Sequence, residues 1–523
     1  MKKYLPIILI LLLAAGLRLV QLGQNPPGLY WDEVSLGYNA YSILTTGRDE
    51  HGEFLPLTRF KAFGDYKPPG YIYATVPSIA LFGLNEFSVR FPSALAGVIM
   101  VWLMYLLVKE LFPVHLGGVQ GHPRGVQVAT LAALILAISP WHVQLSRVAF
   151  EAMLAAAFNL AGIYFFVKAI HKSGWYLILS AIFFGLTVYT FNSNRLLTPL
   201  LVLALTLIYA KNLWAKKTAV IVAAIIGLVL ALPLIPYWRS PESKLRWHEV
   251  NIFSDLKVIL ESNRRIAADG GGRVAKLIHH RYLGHAANFL HHYFDHFKGQ
   301  YLWVTGDGNP RFSTQSTGQF YLIEALPLLV GLYWLLTRSV GWRTSVLLLA
   351  WFFLGPIPAA TARETPHALR TVSMLPVPQI IIALGLSKLK KPILLLVTGI
   401  LLLELIRFQY IYYRSYPQEF AGEWLTQYPP LVRYLKTVEN NYDQIFVTSD
   451  FGRPYIYFLF YQQINPAKFQ QEANVTRTGD GFGFFEVHSV GKYRFDAPDL
   501  TRPQPNTAYV LKDGNEFKIT DNP

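Results

Sequence analysis

Apolar residues gather into eleven long runs with short polar gaps, at about 5–22, 88–108, 126–140, 152–170, 175–191, 196–210, 218–237, 319–336, 344–358, 372–387 and 392–410. Runs of this length and apolarity predict membrane-spanning helices. The first follows Met1-Lys2-Lys3 and is interrupted near its end by Arg18; with no small-residue cleavage site behind it, it predicts a span rather than a removed signal. With the N-terminus inside, the cytoplasmic gaps hold Lys109 and Arg124, Lys168 and Lys172, Lys211, Lys216 and Lys217, Arg338 and Arg343, then Lys388, Lys390 and Lys391. Their basic bias sets the orientation. The segments 23–87, 238–318 and 359–371, and everything after about 411, are then extracytoplasmic.

Inside the first outer loop the period changes. From Asp32, which suits an N-cap, Val34, Tyr38, Tyr41 and Leu44 recur at helical spacing up to Gly47. A second helix is predicted from Pro68-Pro69 through Tyr71, Tyr73, Val76 and Ile79 to Gly83, kinked or broken at Pro77. Both read as in-plane, juxtamembrane helices. Two short outer turns run from Trp141 to Glu151 and from Tyr189 to Arg195. The 238–318 loop is basic, rich in histidine at 279, 280, 285, 291, 292 and 296, and contains Gly270-Gly271-Gly272. Those histidines suit a basic interfacial helix better than a metal centre. Beyond 411 a helix starting at Pro429-Pro430 and strands near 445–448, 483–490, 507–512 and 516–520 predict a small soluble α/β domain. The predicted division is therefore 1–410, a polytopic α-helical catalytic domain, and 411–523, an extracytoplasmic domain.

Composition narrows the solvent. Of 523 residues, 52% are hydrophobic and 15% aromatic, and the mean hydropathy is +0.30, too apolar for an ordinary soluble domain. The formal net charge of +15 lies largely in the gaps between apolar runs, where it reads as topology and not as nucleic-acid binding. With no cysteine, thiolate catalysis and Cys-ligated metals are excluded.

Polar chemistry collects at the outer ends of the runs. Asp32, Glu33 and Glu151 are candidate catalytic acids or bases, because a carboxylate can take the proton of an attacking hydroxyl or amine. Lys67, Arg195, His367 and Arg370 are candidate cations for a phosphate that gains charge as it leaves. Tyr66, Tyr71, Arg147, Asn192, Asp307 and Arg311 are candidate substrate contacts. Each has a plainer role open to it: a helix cap for Asp32, a bridge to Arg147 for Glu151, snorkelling to headgroups for Lys67. A transporter or flippase for lipid-linked sugars is the competing class, but such proteins place polar groups near the bilayer midplane.

The Asp32-Glu33 pair in the first outer loop, Lys67-Pro68-Pro69 at a helix start, and the stretch from Phe82-Gly83-Leu84-Asn85-Glu86 through Arg90 to Leu95 resemble the membrane glycosyltransferases of the GT-C class. Within it they are similar to the family of protein O-mannosyltransferases and bacterial aminoarabinose transferases acting on lipid A. The resemblance is dense over about 1–200. It implies a polyprenyl-phosphate sugar as donor, inverting transfer at the extracytoplasmic face of the cell membrane, and a lipid, protein or glycan acceptor. It also implies that Asp32 is the general base, that Lys67 contacts the lipid phosphate, and that Glu151 stands where relatives carry a second acid. No cofactor follows from it, and a divalent metal is left open.

Overall fold

The computed structural model describes residues 4–63, 65–112, 125–241, 243–244, 251–337, 340–471, 476–479, 485–496, 498 and 500–521. Gly64, Arg124, Arg338, Asn474-Val475 and the start of the strand expected from 483 lie outside them. The chain is predominantly helical, and each of the eleven apolar runs forms helix. Among the described residues, four helices are long and apolar enough to cross a membrane: Glu86–Leu111, Ala152–His171, Trp342–Ala360 and Lys391–Glu419. Two more candidates are bent pairs, Gly125–Ile138 with Pro140–Ser146 (58°) and Ala368–Met374 with Pro376–Leu386 (56°). The other five runs give apolar helices of 10–17 residues: Leu5–Leu19, Tyr176–Val188, Asn194–Ile208, Lys217–Ala231 and Leu322–Leu336. The stretch expected as a turn from Trp141 is thus helical as far as Ser146. Pro140 and Pro376 explain the bends, since proline starts a new helix readily but cannot continue the old one.

The chain divides into two compact units. The larger comprises 1–17, 97–145 and 152–409; the smaller comprises 18–96, 146–151 and 410–523. The first outer loop therefore groups with the C-terminal segment.

The larger unit is helix packed on helix. One close crossing joins Ala325–Leu336 and Pro376–Leu386, where a Cβ on Gly331 would strike the Ile381 carbonyl and one on Gly385 the Pro327 carbonyl. Only glycine lets the two backbones approach so closely. The 238–318 segment folds into helices Leu256–Ala268, Arg273–Ile278 and Arg281–Asp295. Asp255 caps the first through Lys257 N–H (2.9 Å), and His280 caps the third through Tyr282 N–H (3.3 Å).

In the smaller unit, helix Trp31–Thr46 packs on helix Pro69–Phe82, which runs on continuously through Pro77 instead of breaking there. Between them in sequence lies an antiparallel hairpin, β1 (Phe60–Ala62) and β2 (Asp65–Lys67). The C-terminal segment builds a mixed six-stranded sheet from β3 (Gln444–Val447), β4 (Thr476–Gly479), β5 (Phe485–Val490), β6 (Tyr493–Arg494), β7 (Thr507–Asp513) and β8 (Glu516–Thr520), in the order β4-β5-β6-β3-β7-β8. β3 runs parallel to both its neighbours, β6 and β7, and the other pairings among the described residues are antiparallel. Helix Pro454–Tyr461 is buried along nearly all its length. One face sets Phe458 against Tyr493 and Phe495; from another, Tyr457 Oη donates to the Leu29 carbonyl (2.9 Å) just ahead of Trp31.

Candidate active site

The strand β2 ends at Lys67, and the register Phe60↔Lys67 fixes that residue at the open end of the hairpin. Pro68-Pro69 then turns the chain into helix Pro69–Phe82. Lys67 Nζ lies 2.9 Å from Asp32 Oδ1, with side-chain exposures of 12% and 27%. An acid and a lysine that stand 35 positions apart are thus one partly exposed ion pair. Asp32 is not the cap of its helix: Tyr30 holds that position, in extended backbone, and Asp32 sits in the first turn. There the positive end of the helix dipole favours its negative charge.

The side-chain bond to that cap comes from Glu33, two positions into the helix, whose Oε2 accepts the Tyr30 N–H at 3.1 Å. Glu33 is fully buried and meets the equally buried Arg90 in a bidentate pair, Nε to Oε1 at 3.0 Å and Nη2 to Oε2 at 3.1 Å. Oε1 also accepts the Ala149 N–H at 2.8 Å. The rest of the Arg90 fork donates to the carbonyls of Leu22 (3.3 Å), Pro26 (2.8 Å) and Gly28. Five donors in a fixed plane can collect several turns of chain at once, which a lysine cannot do. Position 28 requires glycine, because a Cβ there would strike the Trp424 carbonyl.

Arg147 is the other buried organiser. Its Nη2 donates to the carbonyls of Val20 (2.9 Å) and Asn25 (2.8 Å), its Nε donates to Tyr412 Oη (3.1 Å), and its guanidinium faces the Tyr412 and Tyr413 rings. The turn it begins ends at Glu151, nearly buried and held at a φ of +27°. That is the left-handed region, unfavourable for a side chain with a Cβ, so the surrounding structure imposes it. Burial drives the Tyr71 phenol well above its ordinary range, and the carboxylates of Glu33 and Glu151 push the same way. Tyr71 donates to the Val89 carbonyl (2.9 Å) and Tyr66 is packed beside Arg59; both expected substrate contacts are buried parts of the framework.

The remaining candidates belong to the larger unit. His367, expected as a phosphate-binding cation, is buried, stacked on Phe312 and 3.9 Å from Asp307 Oδ2 through its Nδ1, and is held well below its ordinary pKa by burial first and then by Arg370 and His296. Its backbone N–H donates to His296 Nε2 (3.1 Å), which leaves His296 Nδ1–H to donate to the His292 carbonyl (2.9 Å). Asp307 accepts the Ala368 and Asn309 N–H groups at 2.6 and 2.8 Å and is pushed up to about 6 by burial. Asp307 thus ties two loops together, and the Arg311 N–H joins the same turn through Asn309 Oδ1 (3.0 Å).

Asn192 and Arg370 are half-buried. Arg195 donates from Nε to the Val188 carbonyl (3.2 Å) and stacks over Tyr237, while its Nη2 is buried with no hydrogen-bond partner. It borders an apolar cavity of about 380 Å³ whose lining runs along one helix from Arg195 to Thr206. Among the described residues no three His, Asp or Glu side chains are placed to hold a metal ion.

Arg90 and the buried role of Glu33 were missed from sequence. An arginine inside the first apolar turns of a spanning run was the available signal, since such a charge persists only with a partner.

The family described as Dolichyl-phosphate-mannose-protein mannosyltransferase matches residues 66–238. YkcB and YycA of Bacillus subtilis (strain 168), both provisionally named mannosyltransferases, are 30% and 28% identical over 239 and 244 residues, or 45% and 44% of this chain. The chain aligns with only 30% and 31% of their lengths. Among solved structures, ArnT from Cupriavidus metallidurans bound to undecaprenyl phosphate superposes with a TM-score of 0.52 at 13% identity, covering 87% of this chain and 84% of that one. AglB from Archaeoglobus fulgidus, in complex with an inhibitory peptide and a dolichol-phosphate, gives 0.51 at 12% identity over 88% and 63%. The chain shares its fold with ArnT and AglB.

Proposed function

We propose that the protein is an integral membrane glycosyltransferase that moves a sugar from a polyprenyl-phosphate donor to a hydroxyl or amine on a lipid, protein or glycan. The observation that carries this reading is the partly exposed Asp32–Lys67 pair at 2.9 Å, held over a buried framework in a GT-C fold. The reaction needs a base for the acceptor and a cation for the leaving phosphate. Asp32 takes the proton of the acceptor as its oxygen or nitrogen bonds to the anomeric carbon, and the bond from that carbon to the phosphate oxygen breaks. The electron pair leaves on the polyprenyl phosphate, where Lys67 meets the growing charge. Attack from the face opposite the phosphate inverts the configuration, and the oxocarbenium-like transition state gains further from nearby carboxylate charge. Glu151 is the second acid; Glu33 acts through Arg90 as a positioning residue.

Arg195 and Arg370 remain donor-phosphate residues in this reading, on charge, and the cavity beside Arg195 suits an apolar chain with an anionic head. Eleven spans with the N-terminus cytoplasmic, and the site and the 411–523 domain extracytoplasmic, complete it. Sugar transfer from a radiolabelled polyprenyl-phosphate donor in proteoliposomes tests the proposal. A purified, folded protein that binds no such lipid and transfers none of its sugars overturns it.

A further inference from the structure

The three helices of the 238–318 segment wear their amphipathicity inside out. Leu256, Leu260, Leu277, Leu283, Leu290 and Phe294 are each 51–73% exposed, whereas the residues turned inward include Ser262, His285 and Asp295. On a water-facing surface that arrangement would leave a large apolar patch uncovered, which needs an occupant. Two further observations say which.

The first is position. Helix Arg281–Asp295 is fastened to one end of the apolar helix Trp342–Ala360: Tyr293 Oη donates to the Phe353 carbonyl (2.8 Å), His292 Nδ1 lies 2.8 Å from the Ala362 carbonyl, and Phe297 packs edge-on against Phe352 (5.4 Å). Fixing it to the end of a spanning helix sets it at the depth where acyl chains meet headgroups. The second is charge. Lys257, Arg264, Arg265, Arg273, Lys276 and Arg281 are all exposed on these helices, and the acids among them are partly spent. Glu261 pairs with both Arg264 (2.9 Å) and Arg265 (2.8 Å), and Asp269 lies 2.6 Å from His279.

We infer that helices Leu256–Ala268, Arg273–Ile278 and Arg281–Asp295 form a cradle seated in an anionic membrane leaflet, with the leucines and Phe294 at the acyl boundary and the cations against lipid phosphates. Apolar burial holds the cradle in the interface, and the basic residues select anionic lipid. This inference does not depend on what the site transfers.

The chain has no cysteine, so a single one can report. Leu283→Cys and Leu290→Cys, each labelled with an environment-sensitive NBD probe, are placed in nanodiscs of phosphatidylcholine, with or without phosphatidylglycerol. Glu516→Cys, exposed in the C-terminal sheet, serves as the solvent control. The probes at 283 and 290 are expected to emit to the blue of the control and to be quenched by doxyl-labelled lipids, more strongly with phosphatidylglycerol present. Lys257→Glu, Lys276→Glu and Arg281→Glu together are expected to abolish that extra quenching without changing the size-exclusion profile. Emission at both positions matching the control overturns the inference, as does a blue shift that doxyl lipids fail to quench, which would mean a protein surface covers the face. Quenching indifferent to phosphatidylglycerol overturns the anionic partner.

Discussion

A lysine 2.9 Å from a carboxylate constrains what either can do alone. Lys67 holds Asp32 aimed until a phosphate arrives to share the ammonium, so their substitutions should separate in kind. Asp32→Asn is expected to lower turnover by about 10²–10⁴-fold, the range for loss of a general base, with donor binding retained. Lys67→Ala is expected to weaken donor binding by about ten- to a hundredfold, the loss of one charge-assisted contact. Thermal stabilisation by added polyprenyl phosphate reads the second quantity and single-turnover transfer reads the first; the reverse pattern would exchange their roles. Glu33→Ala belongs to a different class, because it strands Arg90 as a buried charge at a cost of about 3–5 kcal/mol. Its expected signature is a large fall in melting temperature, read by differential scanning in detergent. The sequence pointed at Asp32 and Lys67 through residue type and helix starts. That they touch each other follows from the pairing of β1 with β2, and that Glu33 rather than Asp32 serves the cap follows from Arg90, 57 residues away. Both are long-range facts with no local trace.

At the scale of elements, the loop that joins Arg363 to Ala368 is held by groups whose proton affinities oppose each other. His296, lowered from 6.5 to about 4 chiefly by burial, is neutral in the folded chain and gains a proton on unfolding below 6.5. Its stabilisation is full above 6.5 and is lost as pH falls toward 4. His367 has the same sign. Asp307, raised from 3.8 to about 6, binds a proton in the folded chain, so its contribution is full below 3.8 and lost as pH rises through 6. Amides of this loop are therefore expected to lose hydrogen-exchange protection between pH 6.5 and 4, after correction for intrinsic rates. Asp307→Asn should steepen that loss and His296→Gln should flatten it; protection independent of pH in the parent would refute the account. Sequence periodicity located the apolar runs and the strands that form β3, β7 and β8, because those patterns are local. It missed helix Pro454–Tyr461, whose apolar and aromatic residues fill every face and leave no period to read. It also expected a kink or break at Pro77, and the helix runs through that residue without a break.

For the molecule as a whole, the pattern of charges is a stronger guide than helix length. Four helices and two bent pairs meet the length of a span, while five of the apolar runs form helices of 10–17 residues, short for a bilayer core about 30 Å thick unless flanking turns or local thinning make up the difference. The proposed eleven-span reading rests instead on the basic residues of every second gap between runs. The grouping of the first outer loop with residues 410–523 was invisible in sequence, since it rests on contacts such as Tyr457 to Leu29 across more than four hundred positions. The topology can be tested on the cysteine-free chain. Single cysteines replacing the exposed Lys172, Lys217 and Lys391 should resist a membrane-impermeant maleimide in intact cells and react after permeabilisation. Cysteines replacing the exposed Arg265 and Lys512 should react in intact cells. Labelling of Lys217→Cys from outside would remove a span from the count before it. It would also put 238–318 on the opposite face from the Asp32 loop, and with it the donor-phosphate roles carried by Arg195 and Arg370 would fall.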